Sequence, residues 1–448
     1  MVSGFFTLKW KMLFVTVVAL FATSFSTVHG EDIDISKPLT LNQCIKIALE
    51  RSTSMKAAGL NLEVAKLNVE DARANYLPEI TTNGQYQFSD KIDFGWEPQN
   101  YNAQISASYQ IWDHGRRRAG LAQARENEKG TQADNDKTRQ DLMFSIAEAY
   151  YELLQAEKLI DVDQKLLDIS RGNVEKTKAF LETGRAIPAD VAAVRVQQAS
   201  DELALINDQN NLELARARLA SLMGLDPRTY IEIQDDPDYV IYTEAGLVTR
   251  EVSLEDSVAK AIQMRPELIR LKTRLNSLEW SLKLAELDRW PVITADYGYN
   301  VLLDEYLRDR DNFKKYRSWS VATRVSFPLF DGGVSKRRER SAEIAVEQIK
   351  GDISDRERAI ILEVQQSYLN LGRAKKSLDI AREQVKNAAE SLSVKQGRYE
   401  KELVIPLEVL YAQAQYAQAL TNQVKAFYNY KTTEMAFQKA VGTLKVED

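Results

Sequence analysis

The sequence predicts a mainly α-helical protein with a membrane β-barrel portion, built from a unit that occurs twice. Three observations predict this fold: two long proline-free stretches at 99–187 and 329–405, four short segments of alternating polarity, and an internal repeat. With 44% hydrophobic residues, 10 Pro and 19 Gly, the chain has enough apolar side chains for a core and few helix breakers.

The internal repeat keeps two constant spacings. Pro78 recurs as Pro291, which is 213 residues later, and Asp113 recurs as Asp331, which is 218 residues later. Fixed spacing over many landmarks is typical of a duplicated unit. We therefore predict repeat one at 39–227, an acidic linker at 228–251 and repeat two at 252–444. The five extra residues of repeat two fall between its two strands.

Each repeat contains one very long helix. The stretch from about Arg116 to Thr183 would extend for about 100 Å at 1.5 Å per residue. Apolar residues follow a 4-3 spacing, which is typical of a coiled-coil seam. The seam of the first half is Leu142, Ile146, Ala149, Leu153, Ala156 and Ile160; that of the second is Ile360, Val364, Ser367, Leu371, Ala374, Leu378, Ala381, Val385, Ala388 and Leu392. Shorter helices are predicted at 39–75 and 188–223.

The predicted strands are amphipathic. Alternate residues of 101–112 and 318–330 are apolar and polar, and 80–88 and 293–301 alternate less cleanly. This pattern suits a barrel with lipid outside and water inside, although a soluble sheet on a helical layer is an alternative. Four strands cannot close a barrel, so several subunits are required. The predicted lumen residues are Gln104, Ser106, Ser108, Asp296 and Arg324. The connections at 89–100 and 302–317 are polar and predict exposed loops.

The N-terminus has the pattern of a secretory signal peptide at 1–30. Lys9 and Lys11 precede an apolar run, and small residues precede Glu31. An uncleaved membrane anchor is the alternative. Removal of both lysines changes the formal charge from −6 to −8. Cys44 is the single cysteine, so no intrachain disulfide is possible.

Little in the mature chain points to catalysis or to cofactors. His114 is the one histidine beyond the signal, and no phosphate-binding loop, nucleophile elbow or zinc-binding helix motif is present. No basic patch suggests nucleic acid. We expect no catalytic residue, no metal, no cofactor and no nucleic-acid partner, although catalysis by carboxylates alone is not excluded by composition.

Several motifs follow one another in a specific order. They are Leu39–Leu49, Tyr76–Pro78, Trp112–Gly115, Glu182–Val191 and Phe330–Gly333. In this order, and with the duplication, the chain resembles the outer membrane efflux protein (TolC-like) family. The resemblance covers nearly all of the mature chain.

The resemblance implies the assembly and its partners. It implies a homotrimer in which four strands from each subunit form a twelve-stranded β-barrel in outer-membrane lipid. Twelve helices would form an α-barrel in the periplasm, docked to a periplasmic adaptor (membrane fusion) protein and an inner-membrane RND or ABC pump. The subunit would be the passive export duct of a tripartite efflux or type I secretion system.

The resemblance also implies site residues at two helix hairpins. The adaptor-docking tips would include Gly184, Arg185, Ala186, Leu403 and Val404. The periplasmic gate would include Glu408, Asp190, Tyr399 and Tyr411. Val404 and Glu402 depart from the residues that the family carries at the tip. The two acids have a second interpretation, since a carboxylate near Pro188 or Pro406 also stabilises a helix start.

A second class of function fits part of the pattern. A periplasmic coiled-coil spacer or adaptor without a pore would explain the long helices but not the strands. An enzyme is a more distant third reading.

Overall fold

The structure is a computed structural model that describes residues 37–87, 100–244, 253–302, 316–401 and 403–445. From Pro38 onward the chain forms one structural unit. The predicted signal peptide and Glu402 lie outside the described residues, as do most of the two predicted loops. In the described ranges, no helix combines the length and the apolar character needed to cross a membrane.

The two halves contain the same elements in the same order. The first half has α1 (Leu41–Arg51), α2 (Thr53–Ala74), β1 (Glu79–Gln87), β2 (Asn100–Trp112), α3 (Arg116–Glu182) and α4 (Pro188–Leu222). After α5 (Pro237–Glu244), the second half has α6 (Leu254–Met264), α7 (Pro266–Leu287), β3 (Val292–Leu302), β4 (Arg317–Ser326), α8 (Val334–Glu400) and α9 (Pro406–Val441). The repeat boundaries at 39–227 and 252–444 stay predictions.

The long helices match the prediction closely. α3 and α8 are both 67 residues long, and their first residues are separated by the spacing of 218. Most seam positions of both helices are buried, including Ile146, Leu153 and Val364, each 0% exposed. The seam therefore forms the core along the helical layer.

The predicted single helix at 39–75 is wrong in one respect, because the chain breaks it at Ser52. A capping box between Thr40 and Gln43 starts α1, and Ser52 then adopts an extended backbone with ψ of 130°. Arg265 makes the same break in the second half. There the following Pro266 disfavours a helical conformation at the preceding residue.

A glycine from the end of the repeat packs against each of these breaks. Gly224 has a φ of +72°, and a Cβ there would lie 3.1 Å from the carbonyl carbon of Arg51. Gly442 has a φ of +79°, and a Cβ there would lie 3.2 Å from the carbonyl carbon of Met264. Both positions thus need glycine for the left-handed conformation and for the close approach.

The described part of the predicted acidic linker, 228–244, is folded onto the helices. Ile233 forms a parallel bridge with Leu39, and α5 follows it. The buried Tyr242 hydroxyl of α5 donates to the Leu378 carbonyl at 2.8 Å, and the ring of Tyr239 stacks on that of Tyr428 at 5.8 Å. A hydrogen bond to α8 and aromatic packing on α9 therefore fix this segment.

The four strands form one antiparallel sheet in the order β1-β2-β3-β4. The central pair joins the two halves, since β2 is hydrogen-bonded to β3. All four strand ends that border helices lie at the same edge of the sheet, as Glu79 opposite Ser108 and Val292 opposite Ser326 illustrate. β1 and β4 are the edge strands of the described sheet.

An aspartate stabilises the start of each long helix. Asp113 accepts hydrogen bonds from the amides of Gly115 and Arg117, and Asp331 accepts them from the amides of Gly333 and Ser335. Burial would raise the pKa of Asp113, but the bonds from Arg117 lower it below its ordinary value. The Ser335 hydroxyl and the amides lower the pKa of Asp331 to about 2.

We predict that Asp331→Asn lowers the melting temperature near neutral pH but not in strong acid. Because the folded-state pKa of Asp331 lies below its ordinary 3.8, its stabilisation is complete above about pH 4 and is lost as the pH falls toward 2. Circular dichroism melts of both proteins across this range measure the difference. Asp352→Asn, an exposed position on the same helix, is the control. A constant difference at every pH would contradict the role of the charge.

Candidate functional site

The sheet has one polar and one apolar face. The polar face carries all five predicted lumen residues, which are Gln104, Ser106, Ser108, Asp296 and Arg324, because the register aligns their strand positions. Ser108 donates to the Asp296 carboxylate at 2.8 Å, and the Arg324 guanidinium lies 3.9 Å from that carboxylate. Ser106 and Thr81 share a hydrogen bond of 2.7 Å. Polar side chains of neighbouring strands on this face thus form local hydrogen bonds and an ion pair with one another.

The opposite face is apolar and uncovered in the single chain. Ile80, Trp319 and Val321 are each about 70% exposed. These residues alternate in register with the polar set, so one face is suited to lipid and the other to water. A contiguous exposed apolar face of this kind marks a membrane or protein interaction surface.

The first hairpin tip closes with a Schellman motif. Gly184 adopts a φ of +75°, and the Arg185 amide donates to the Phe180 carbonyl at 2.7 Å. The predicted tip residues Gly184, Arg185 and Ala186 therefore form a tight turn. On its far side the Asp190 carboxylate accepts a hydrogen bond from the Ile187 amide at 3.0 Å. Asp190 thus caps the start of α4.

The second hairpin tip makes the corresponding main-chain bond, from the Leu403 amide to the Arg398 carbonyl at 2.9 Å. Leu403, Ile405 and Leu407 are exposed, whereas Val404 is half-buried. This tip therefore presents an apolar surface, in contrast to Gly184 and Arg185 of the first tip.

The predicted gate residues do not share one set of contacts. Glu408 forms an ion pair with Lys395, and together with Tyr411 they line a cleft of about 530 Å³ between α8 and α9. The Tyr399 hydroxyl instead lies 3.4 Å from that of Thr177, and its ring contacts Phe180 at 5.3 Å. Tyr399 therefore connects α8 to α3, while Asp190 caps α4.

A buried polar cluster between the helices was missed by sequence reasoning. Asp201 accepts hydrogen bonds from Ser170 and from Gln413, which lies on α9, and the Asn173 amide donates to Gln413 at 2.8 Å. Nearby, burial and then the Asp208 carboxylate raise the pKa of Asp163 to about 7. The signal was a seven-residue spacing of polar residues on the buried face of α3, at 163, 170 and 177.

The paired long helices and the two-faced sheet define a membrane channel protein. The family model described as outer membrane efflux protein matches residues 44–225 and 258–443. The chain belongs to the outer membrane efflux protein family. It is accordingly an efflux channel protein of the outer membrane, with its helices on the periplasmic side.

Relatives and solved structures agree with this assignment. Outer membrane protein TolC of Vibrio cholerae serotype O1 is 23% identical over 456 residues, which covers 98% of this chain and 97% of that protein. A crystal structure of CusC has a TM-score of 0.79 at 16% identity, covering 90% of this chain and 92% of CusC. The open state of the Neisseria gonorrhoeae MtrE outer membrane channel has a TM-score of 0.77 at 19% identity, covering 90% and 88%.

We predict that Asp163→Asn raises the melting temperature in alkaline solution. Since the folded-state pKa of Asp163 lies above its ordinary 3.8, the wild-type protein loses stability as the pH rises from about 4 through about 7. An uncharged amide avoids that loss, so the gain should be on the order of a few degrees at pH above about 8 and vanish near pH 4.

Thermal melts at several pH values test this expectation. Asp168→Asn, an exposed position on the same helix, is the matched control. Equal responses of the two variants at all pH values would show that burial of Asp163 is not the cause.

Proposed function

We propose that three copies of the chain form a passive export duct, with a closed β-barrel in the outer membrane and a helical tube in the periplasm. The observation that carries the proposal is the two-faced sheet, with Asp296 and Arg324 on one face and exposed Trp319 and Val321 on the other. A wet lumen and a lipid-facing exterior require this alternation.

The sheet edges support assembly from several copies. Among the described residues, β1 and β4 each have one side without a strand partner, and unpaired main-chain groups are unfavourable within lipid. Pairing β4 of one copy with β1 of the next satisfies these groups. Three copies supply twelve strands, enough to close a barrel around a lumen.

The helices support the same assembly. Within one chain, α3 contacts two pairs of helices, α2 with α7 and α4 with α9. α8 packs against the far side of α7 and α9. The two outer flanks carry exposed apolar residues. They are Leu60, Val64 and Leu67 on α2; Val196, Leu203, Ile206 and Leu214 on α4; and Leu362, Leu369, Ile380 and Val394 on α8. Contact between opposite flanks of adjacent copies would cover both sets.

The hairpin tips are the proposed docking surface for a periplasmic adaptor, through which an inner-membrane RND or ABC pump would supply the energy. Exposed Leu403 and the Arg185 turn offer an apolar and a cationic contact respectively. The spacer alternative leaves the two-faced sheet unexplained, and family membership favours the channel. The relatives reported above are outer membrane proteins and channels, which favours a channel over an enzyme.

The proposed gate centres on the Glu408–Lys395 ion pair beside Tyr411. This pair links the first turn of α9 to α8, so it restrains the second hairpin. Tyr399 would restrain the two hairpins against each other through Thr177 and Phe180. In this proposal Asp190 does not restrain the gate and only stabilises the start of α4.

We predict that an introduced arginine has different effects on the two faces of the sheet. Val321→Arg should abolish membrane insertion, because an arginine on a lipid-facing strand costs about 2–4 kcal/mol near the membrane centre. Ala322→Arg, its neighbour on the polar face, should insert and change ion selectivity. Wild-type protein should run as a heat-modifiable trimer and conduct ions in planar bilayers. Recovery of the wild-type protein as a soluble periplasmic monomer would contradict the proposal.

We predict different outcomes for the two gate acids. Glu408→Ala removes the ion pair with Lys395 and should raise single-channel conductance. Asp190→Ala should leave conductance unchanged and lower stability by roughly 0.5–2 kcal/mol, the usual effect of losing a cap. The exchange of charges in Lys395→Glu with Glu408→Lys should restore low conductance. High conductance in the exchanged protein would argue that Glu408 acts without Lys395.

A further inference from the structure

Exposed aromatic side chains surround the edge of the sheet where strands meet helices. Because the strands are antiparallel, all four strand–helix junctions lie at this edge. We name the exposed aromatic residues there the aromatic rim: Tyr76, Trp112, Trp290, Phe327 and Phe330. His114 stacks on Trp290 at 4.1 Å and meets Trp112 edge-on at 5.1 Å. Aromatic rims of this kind lie at the boundary between hydrocarbon and headgroups.

Cationic side chains follow the rim immediately on its helix side. We name them the basic collar: Arg116, Arg118, Arg289, Lys336, Arg337 and Arg338. Neither α3 nor α8 has an acidic residue in its first turn. Helix starts favour acids and disfavour cations, so the collar residues on α3 and α8 do not stabilise the starts of those helices.

The carboxylates near the collar neutralise only part of its charge. Arg116 and Arg338 share Asp288, at 2.9 and 3.3 Å, and Arg289 pairs with Glu339. Arg337 donates to the Gly332 carbonyl at 3.0 Å.

Arg118 and Lys336 are exposed and have no ion-pair partner among the described residues. They also occupy equivalent positions, 218 residues apart, near the start of the two long helices. A trimer would therefore carry six such free cations at one level.

The start of α3, which carries Arg116 and Arg118 of the collar, lies beside the lipid-facing side of the sheet. The Arg117 guanidinium, which is bound to Asp113, lies 5.8 Å from the ring of Tyr109 and 5.1 Å from that of Tyr76. Tyr109 belongs to the apolar face, since it pairs with Ala295 in register with Ile105 and Tyr297. The helix start thus borders the surface on which lipid chains would end.

We propose that the basic collar binds the anionic phosphate headgroups of phospholipids in the periplasmic leaflet of the outer membrane. Arg118 and Lys336 supply the free charges, and the aromatic rim seats the glycerol region above them. The occupant follows from charge complementarity, because exposed cations directly below an apolar band attract anionic lipid at about 1 kcal/mol each. The proposal rests on the membrane insertion in the proposed function.

The test uses trimers in phosphatidylcholine vesicles that contain a fraction of phosphatidylglycerol. Brominated acyl chains on either lipid quench nearby tryptophans, including Trp112 and Trp290, so the quenching ratio reports lipid preference. Wild-type protein should prefer phosphatidylglycerol. Arg118→Gln with Lys336→Gln should weaken that preference by about five-fold per cation, and high NaCl should weaken the preference of the wild-type protein.

Controls separate this binding from folding and from the pore. Lys178→Gln with Lys386→Gln changes two exposed cations far along the same helices and should leave lipid preference unchanged. Conductance of the collar variant should match the wild type, so a failed channel is distinguished from a failed collar. Sodium phosphate should act no more strongly than NaCl of equal ionic strength.

Three results would overturn the proposal. One is a collar variant that keeps the full preference for phosphatidylglycerol, and another is a wild-type protein without any preference. The third is specific competition by inorganic phosphate, which would indicate a site for free anions rather than for lipid.

Discussion

The apolar seam along α3 and α8 is the interaction on which the rest of the structure depends. Residues such as Ile146, Leu153 and Val364 are fully buried, and the shorter helices, the folded linker and both hairpins pack onto this layer. Alanine at positions such as Ala149 and Ala374 allows neighbouring helices to approach closely. Toward the first tip the seam of α3 becomes polar at Ser170 and Thr177, where hydrogen bonds replace apolar packing. The core of α3 thus changes from mainly apolar packing to partly hydrogen-bonded packing toward the first tip.

The duplicated unit builds a symmetric scaffold with unequal ends. Asp113 and Asp331 make the same helix-start contacts, and Gly224 and Gly442 pack against the same kind of break. Equivalent residues at the tips differ: Asp190 caps its helix, while Glu408 pairs with Lys395 of the neighbouring helix. One backbone plan therefore supports two different surfaces at the end remote from the sheet.

Sequence periodicity predicted the parts whose structure depends on local pattern. The long helices, their seam and the two faces of β2 and β4 follow from spacing alone. The break at Ser52 lacks the proline that explains its counterpart before Pro266, and the packing of α5 depends on aromatic contacts with distant residues. Predicting the cluster around Asp163 and Asp201 would have required the rotation of α3, α4 and α9 relative to one another. Such features depend on tertiary contacts, which a single sequence does not specify.

The pairing of β2 with β3 has a consequence for how the chain folds. Ser108 and Asp296 meet across the sheet although they are 188 residues apart in sequence. Local contacts can form each helical hairpin early, but closing so long a loop is entropically costly and slow. The sheet therefore cannot be completed until the whole first half and the chain as far as β4 have been synthesised and exported. A chain interrupted before β3 would retain one hairpin of strands, which is too small to be stable by itself. The order of the chain thus delays the membrane-binding surface until the helices of the first half are present.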